Sequence, residues 1–164
     1  MIDMTTIALP ASLAIRNLLE DLLGRDVTVN PADPPVVADL KRTVTAVYID
    51  DSTRMVAVIG LDLALAAYAG AALGLMPVGG AQDCLEDGTL SPMLAENVGE
   101  LFNVLTSLLN REGGPHVRLY KVYQPPEPLP NDAQAQLLAL GNRSDLLVEV
   151  ARYGKGRMSV SLAL

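Results

Sequence analysis

The sequence predicts an α+β fold, an antiparallel β-sheet packed against helices with a pseudo-twofold arrangement, and three observations lead there. Strand-like runs come as hairpins rather than in regular strand–helix alternation. The order helix, strand, proline-rich connector, hairpin is run through twice. Half of the 164 residues are apolar, enough to fill one core, so a single domain over residues 1–164 is expected.

A first helix is expected from Ala11 to Leu23, with Leu13, Leu19, Leu22 and Leu23 among its apolar positions and Gly24 as its stop. A short strand, Val27 to Val29, precedes Pro31, Pro34 and Pro35, which force an irregular connector. Strands at Arg42 to Ile49 and Met55 to Leu61 follow, joined by a polar turn through Asp50, Asp51 and Ser52.

From Met55 to Met76 the only charge is Asp62, and Gly70 and Gly74 have the small-residue spacing of packed membrane helices. The segment is nevertheless expected as a strand and then a buried helix. Its first part alternates around Val56, Val58 and Ile59, its alanine-rich remainder suits a helix from Leu63 to Leu73, and Asp62 falls where an N-cap belongs. The two glycines then allow close approach to the sheet or to a second helix.

Pro77 to Ser91, with its glycines and several acids, is expected as a loop. Ser91 followed by Pro92 starts a long helix that ends before Gly113 and Gly114. A strand from His116 to Tyr123 leads into Pro125, Pro126, Pro128 and Pro130. A short helix, Ala133 to Leu140, precedes a hairpin of Leu146 to Arg152 and Met158 to Leu162, turned by Gly154 to Gly156. Local spelling echoes as well: the tyrosine, polar turn and Arg-Met of Tyr48 to Val58 return in shorter form from Tyr153 to Val160.

Composition narrows function. A net charge of −7, with Lys and Arg sparse and scattered, argues against nucleic acid and anionic membranes as partners. The single cysteine, Cys84, allows no intrachain disulfide and reads as a small buried or loop thiol of a cytoplasmic protein. His116 is also alone, so there is no metal-ligand spacing and no Cys-His nucleophile pair. Residues 1–10 carry Asp3 and no Lys or Arg, which is wrong for a signal peptide. No dinucleotide or P-loop pattern occurs, since Gly79-Gly80 is too short and lacks a following Lys.

The helix after Ser91 is the informative one. At about 100° per residue, Leu94, Val98, Leu101, Leu105, Leu108 and Leu109 fall on one side, and Glu96, Gly99, Glu100, Asn103, Ser107 and Asn110 on the other. A solvated face is usually filled with Lys, Glu, Arg and Ala, whereas Gly99, Asn103, Ser107 and Asn110 are poorer helix formers. Gly99 alone costs about 1 kcal/mol relative to alanine in a helix interior. Short, polar, helix-unfriendly residues on one face suggest a surface kept low for a partner to lie against.

At these residues the sequence resembles the CheC/CheX/FliY phosphatases. Glu100-Leu101-Phe102-Asn103, with Pro125-Pro126 a little over twenty residues later, is similar to their Glu-x-x-Asn and distant-proline signature. Val58-Ile59-Gly60-Leu61-Asp62, running into an alanine-rich helix and an acidic loop, is similar to them too. Members of the CheC type carry two such helices; the first helix here has no Glu followed three residues later by Asn, so one active face is implied, as in CheX. Two positions depart from the pattern: Glu96 stands where Asp or Ser is preferred, and Ser107 or its neighbours replace a glycine.

The resemblance implies that the protein accelerates loss of the phospho-aspartate of a CheY-like response regulator, with Mg2+ carried by that partner and no cofactor of its own. Asn103 would hold the attacking water, since a carboxamide both donates and accepts hydrogen bonds. Glu100 would pair with the regulator's active-site lysine. Glu96 would assist electrostatically, Gly99 would permit close approach, Ser107 would belong to the same contact surface, and Pro125 and Pro126 would shape the loop beside the face. A homodimer is also implied. The alternatives are a regulator-binding or scaffold protein of the same fold without hydrolysis, and a small-ligand or structural domain outside signalling.

Overall fold

A computed structural model describes residues 7–163; of the N-terminal stretch read above for a leader, residues 1–6 lie outside them. Six strands form one antiparallel sheet: β1 (Val27–Pro31), β2 (Thr43–Ile49), β3 (Met55–Asp62), β4 (Arg118–Tyr123), β5 (Arg143–Val150) and β6 (Gly154–Leu162). Helices α1 (Ser12–Leu23), α2 (Leu63–Leu73), α3 (Val78–Asp87), α4 (Pro92–Leu105) and α5 (Asn131–Leu138) accompany it, with 3-10 turns at Val37–Arg42 and Thr106–Leu108.

The strand order is β1-β5-β6-β3-β2-β4. Exchanging the halves, so that β1, β2 and β3 trade places with β4, β5 and β6, returns the same order read backwards. This is the expected pseudo-twofold, with its centre between β3 and β6, where Ile59 faces Val160. The repeated Arg-Met spelling is not part of it. Met55 opens β3 opposite Ile49, whereas Met158 lies well inside β6 between Leu146 and Leu61.

Alternation along the strands sorts the core into two layers. Val44, Ala46, Tyr48, Ala57, Ile59, Leu61, Val148, Val160 and Leu162 face α1, α2 and α4. Val47 and Val58 face the other way, toward Ala133 and Leu137 of α5. Gly60 makes that second layer thin, since a Cβ there would stand 3.0 Å from a Leu137 methyl.

α2 is buried on nearly every side, which explains an apolar run that resembles a membrane segment. No helix among the described residues is long and apolar enough to cross a membrane. Asp62 caps α2 as expected, accepting from the Leu65 amide at 2.9 Å and from the Arg157 amide of β6 at 2.9 Å. Burial raises its carboxyl above the ordinary value, against those hydrogen bonds and the nearby Arg157 charge. The two glycines mark the approach of α4: a Cβ on Gly70 would lie 2.9 Å from Val98, and one on Gly74 would overlap the Asn97 carboxamide.

Three expectations need correction. Residues 77–91 are not a loop but contain α3, whose Ala81 and Cys84 are buried while Asp83, Glu86 and Asp87 stay in water. Glycines in its first turn hide this period, and packing against α2 overrides their poor propensity. The helix after Ser91 does not continue toward Gly113. It tightens to 3-10 after Leu105, the Thr106 amide bonding back to the Asn103 carbonyl. The final hairpin also turns at residues 151–153 rather than at Gly154 to Gly156, because both glycines lie within β6.

The α5 end of the sheet is held by a bidentate pair. Arg143 donates to both Asp145 oxygens at 2.8 Å and to the carbonyls of Leu137 and Ala139, ending α5. Burial opposes the charge on Asp145, but hydrogen bonds from Arg143 and Ser159 and the charges of Arg143 and Arg157 hold its carboxyl below the usual range.

Two expected outcomes follow from this packing. Gly70→Val should cost about 1–3 kcal/mol of unfolding free energy by denaturant titration, since Val98 has no room to retreat. A group with a depressed folded pKa stabilises above its unfolded pKa, and that contribution is lost as the pH falls through the folded value. Asp145→Asn should therefore unfold more readily than the parent at neutral pH, and thermal melts should converge as the pH drops below about 3.9.

Candidate functional site

α4 begins where the sequence says it should. Ser91 accepts from the Leu94 amide, Pro92 fills the first turn, and the Ser91 amide donates to the Cys84 sulfur at 3.2 Å. Leu94, Val98, Leu101, Phe102 and Leu105 are buried against α2 and the sheet. With that side occupied, the opposite stripe has to face outward. Glu96, Glu100, Asn103 and Ser107 are all exposed along it, and Gly99 lies half-buried at its margin.

Glu100 and Asn103 are thus neighbours one turn apart, about 5–6 Å between Cβ atoms. Among the described residues, the side chains of Glu96, Glu100 and Asn103 make no hydrogen bond or ion pair within the chain. The Ser107 hydroxyl donates back to the Val104 carbonyl at 3.0 Å. Above Gly99 there is open space, with nothing within 4 Å of a Cβ built there. Internal packing does not require that glycine.

Asn110, sorted with this face by periodicity, does not belong to it. Its carboxamide pairs with the Val117 backbone in both directions at 2.8 Å, closing the turn into β4. Pro125 and Pro126 are not brought to the stripe either. They line a separate groove of about 560 Å³ with Val37, Tyr123 and Leu129, on the far side of the sheet from α4, and no α4 residue lines it. The reason is that β4 carries the chain from the end of α4 to the opposite sheet face before the prolines begin.

One contact escaped sequence reasoning. Tyr48, buried in β2, donates its hydroxyl to the Phe102 carbonyl at 2.7 Å, the residue beside Asn103. The change to 3-10 geometry takes the Thr106 amide to other carbonyls, and the Tyr48 hydroxyl, with the Thr106 hydroxyl at 3.4 Å, satisfies the one released. Burial raises the Tyr48 pKa far above its ordinary value, so the group stays a neutral donor. The hint in the sequence was its spacing of two from Ala46 and four from Val44, which puts it on their side of β2.

α1 occupies the position related to α4 by the pseudo-twofold. Its Glu20 is spent on structure, accepting from the Val27 amide at 3.1 Å and facing Arg16 at 3.8 Å. Asn17 accepts from Arg16. Among the described residues no group of three or more His, Cys, Asp or Glu side chains could hold a metal ion. Cys84 is buried, and His116 pairs with Asp51 on the surface at 3.0 Å.

Fold and site together define an α+β sheet protein whose distinctive polar residues stand on one exposed helix face rather than in a cleft. No family model and no curated protein matches the sequence. Solved structures do match its fold. The FliM middle domain from H. pylori aligns with a TM-score of 0.57 at 8% identity, over 90% of this chain and 82% of that one. Thermotoga maritima FliY gives 0.56 at 17%, again over 90% and 82%. A chain of the CheX-CheY-BeF3-Mg2+ complex from Borrelia burgdorferi gives 0.55 at 11%, over 90% and 92%. The chain therefore has the fold of CheX, FliY and the FliM middle domain, the α+β architecture expected from its sequence.

Gly99→Ala should raise stability by up to about 1 kcal/mol in thermal or urea unfolding, because helix propensity improves and the added methyl meets no atom of this chain.

Proposed function

We propose that the α4 face docks on a CheY-like response regulator and accelerates hydrolysis of its phospho-aspartate. The observation that carries this reading is the outward placement of Glu100 and Asn103 on a stripe whose glycine is not needed for internal packing. The fold shared with a chain of a CheX-CheY complex supports the choice of partner.

An acyl phosphate with its metal ion already hydrolyses slowly, so a helper has only to place a water in line. The Asn103 carboxamide donates one hydrogen bond and accepts another, which fixes both the position and the orientation of that water. A hundredfold acceleration corresponds to about 2.7 kcal/mol of barrier, within the reach of positioning alone. Glu100 supplies a carboxylate for a lysine of the partner and sets the register in which Asn103 arrives. Glu96 adds negative charge one turn earlier, and Gly99 keeps the flank of the helix low. Mg2+ belongs to the partner in this scheme.

A second reading keeps the binding and drops the hydrolysis. It is favoured by the FliM middle domain among the fold neighbours and by Glu96 and Ser107 standing where the resemblance places other residues. Turnover separates the two.

Purified protein should speed phosphate loss from an acetyl-phosphate-charged CheY-like receiver. Asn103→Ala should fold normally and lose about 100-fold in that acceleration, while Glu100→Lys should mainly weaken binding. Binding without acceleration by the parent would select the scaffold reading; equal rates for parent and Asn103→Ala would remove Asn103 from the mechanism.

A further inference from the structure

The α4 stripe does not end at Glu96. One turn further toward the N-terminus, Met93 continues it, seven residues before Glu100 and therefore almost directly in line with it. Its side chain is 60% exposed. At the C-terminal end of α2, the helix packed against α4, Leu75 is 80% exposed.

Leu75 is an unusual residue to find there. Its φ is 55°, the left-handed conformation that usually follows a helix as glycine or asparagine. The amides of Leu75 and Met76 bond back to Ala72 and Ala71, so the conformation is built into the helix end. A branched side chain in that conformation costs free energy, and here it recovers none by burial.

The placement is fixed from α4. The Asn97 carboxamide donates to the Gly70 carbonyl at 3.0 Å and reaches the Met76 sulfur at 3.8 Å. It also occupies the space that a Cβ on Gly74 would need. Asn97 is one turn from Met93 on the same helix, so the end of α2 that carries Leu75 is tied to α4 one turn from the apolar end of the stripe.

The charged residues of α3 and α4 have one sign. No Lys, Arg or His occurs between Arg54 and Arg111, while Asp83, Glu86 and Asp87 on α3 and Glu96 and Glu100 on α4 are exposed. Two cations border it: Arg42 donates to the Leu85 carbonyl at the end of α3, and Arg25 stacks on Tyr153, whose hydroxyl donates to the Met76 carbonyl.

We propose that Leu75 and Met93 form an apolar anchor for the protein that the α4 face binds, and that this partner presents an apolar patch bordered by Lys or Arg. The inference rests on the docking reading above and extends its footprint from α4 to the end of α2. The anchor supplies contact area and the surrounding acids supply orientation, the usual division between a central apolar contact and a charged rim.

The test is a calorimetric titration against a beryllofluoride-treated CheY-like receiver. Leu75→Gly and Met93→Ala should each weaken binding about fivefold or more, the scale on which interface anchors act. Leu75→Gly should melt no lower than the parent, because glycine suits its backbone conformation, which separates lost contact from lost folding. Leu140→Ala, which removes an exposed leucine beyond α5, should bind like the parent. Affinity should fall as salt rises; a salt-independent affinity would overturn the charged rim. A parent that binds, with a Leu75→Gly, Met93→Ala double variant that binds equally well, would overturn the anchor alone. A parent that does not bind the receiver would overturn the reading of the α4 face itself.

Discussion

The close approach of α2 and α4 is the constraint on which the exposed face depends. At Gly70 and Gly74 the surface of α2 has no side chains, and Val98 and Asn97 of α4 take up the space. A glycine inside a helix costs roughly 0.5–1 kcal/mol relative to alanine. Fully burying one leucine- or valine-sized side chain contributes about 1.5–3 kcal/mol, and α4 buries five apolar residues on that side. Packing therefore decides the rotation of α4 about its own axis. Once Leu94, Val98, Leu101, Phe102 and Leu105 face inward, Glu100 and Asn103 have only water to face.

Polar contacts then fix where that helix stops. Tyr48 holds the Phe102 carbonyl from the sheet side, and Asn110 pairs with Val117 as though it were one more residue of strand. All three bonds are short; the first satisfies a carbonyl that the end of the helix leaves without its usual partner, and the other two tie the chain after the helix to the start of β4. An amphipathic helix resting only on apolar contacts can slide or fray at its end. α4 is pinned within a few residues of Asn103, so the carboxamide projects from a defined backbone.

Much of this was legible beforehand where local chemistry and tertiary packing agree. Asp62 before an alanine-rich run, Ser91 before Pro92, and alternating β-branched residues in β3 each announce their element, and each is in place. The outward stripe of α4 was legible for the same reason, because periodicity alone separates Leu94 and Val98 from Glu96 and Glu100. What stayed hidden depends on contacts between distant segments. α3 is helical despite Gly79 and Gly80 because Ala81 and Cys84 bury themselves on the core. Asn110 leaves the polar face for a backbone that the sequence does not place beside it. Pro125 and Pro126 are near α4 in sequence order but lie across the sheet from it, a separation that only strand topology sets.

The palindromic strand order has a consequence for how the chain acquires its structure. Among the described residues, β1 pairs only with the hairpin of the second half, and β4 only with the hairpin of the first. Each half lends its leading strand to the other, much as two hands clasp, so neither can complete a three-stranded unit from its own residues. Val27 meets Val150 across more than a hundred intervening residues, and closing so long a loop is entropically slow. Assembly of the whole sheet is thereby bound to the arrival of the last hairpin, which also supplies the β6 strand on which α2, the partner of α4, is packed.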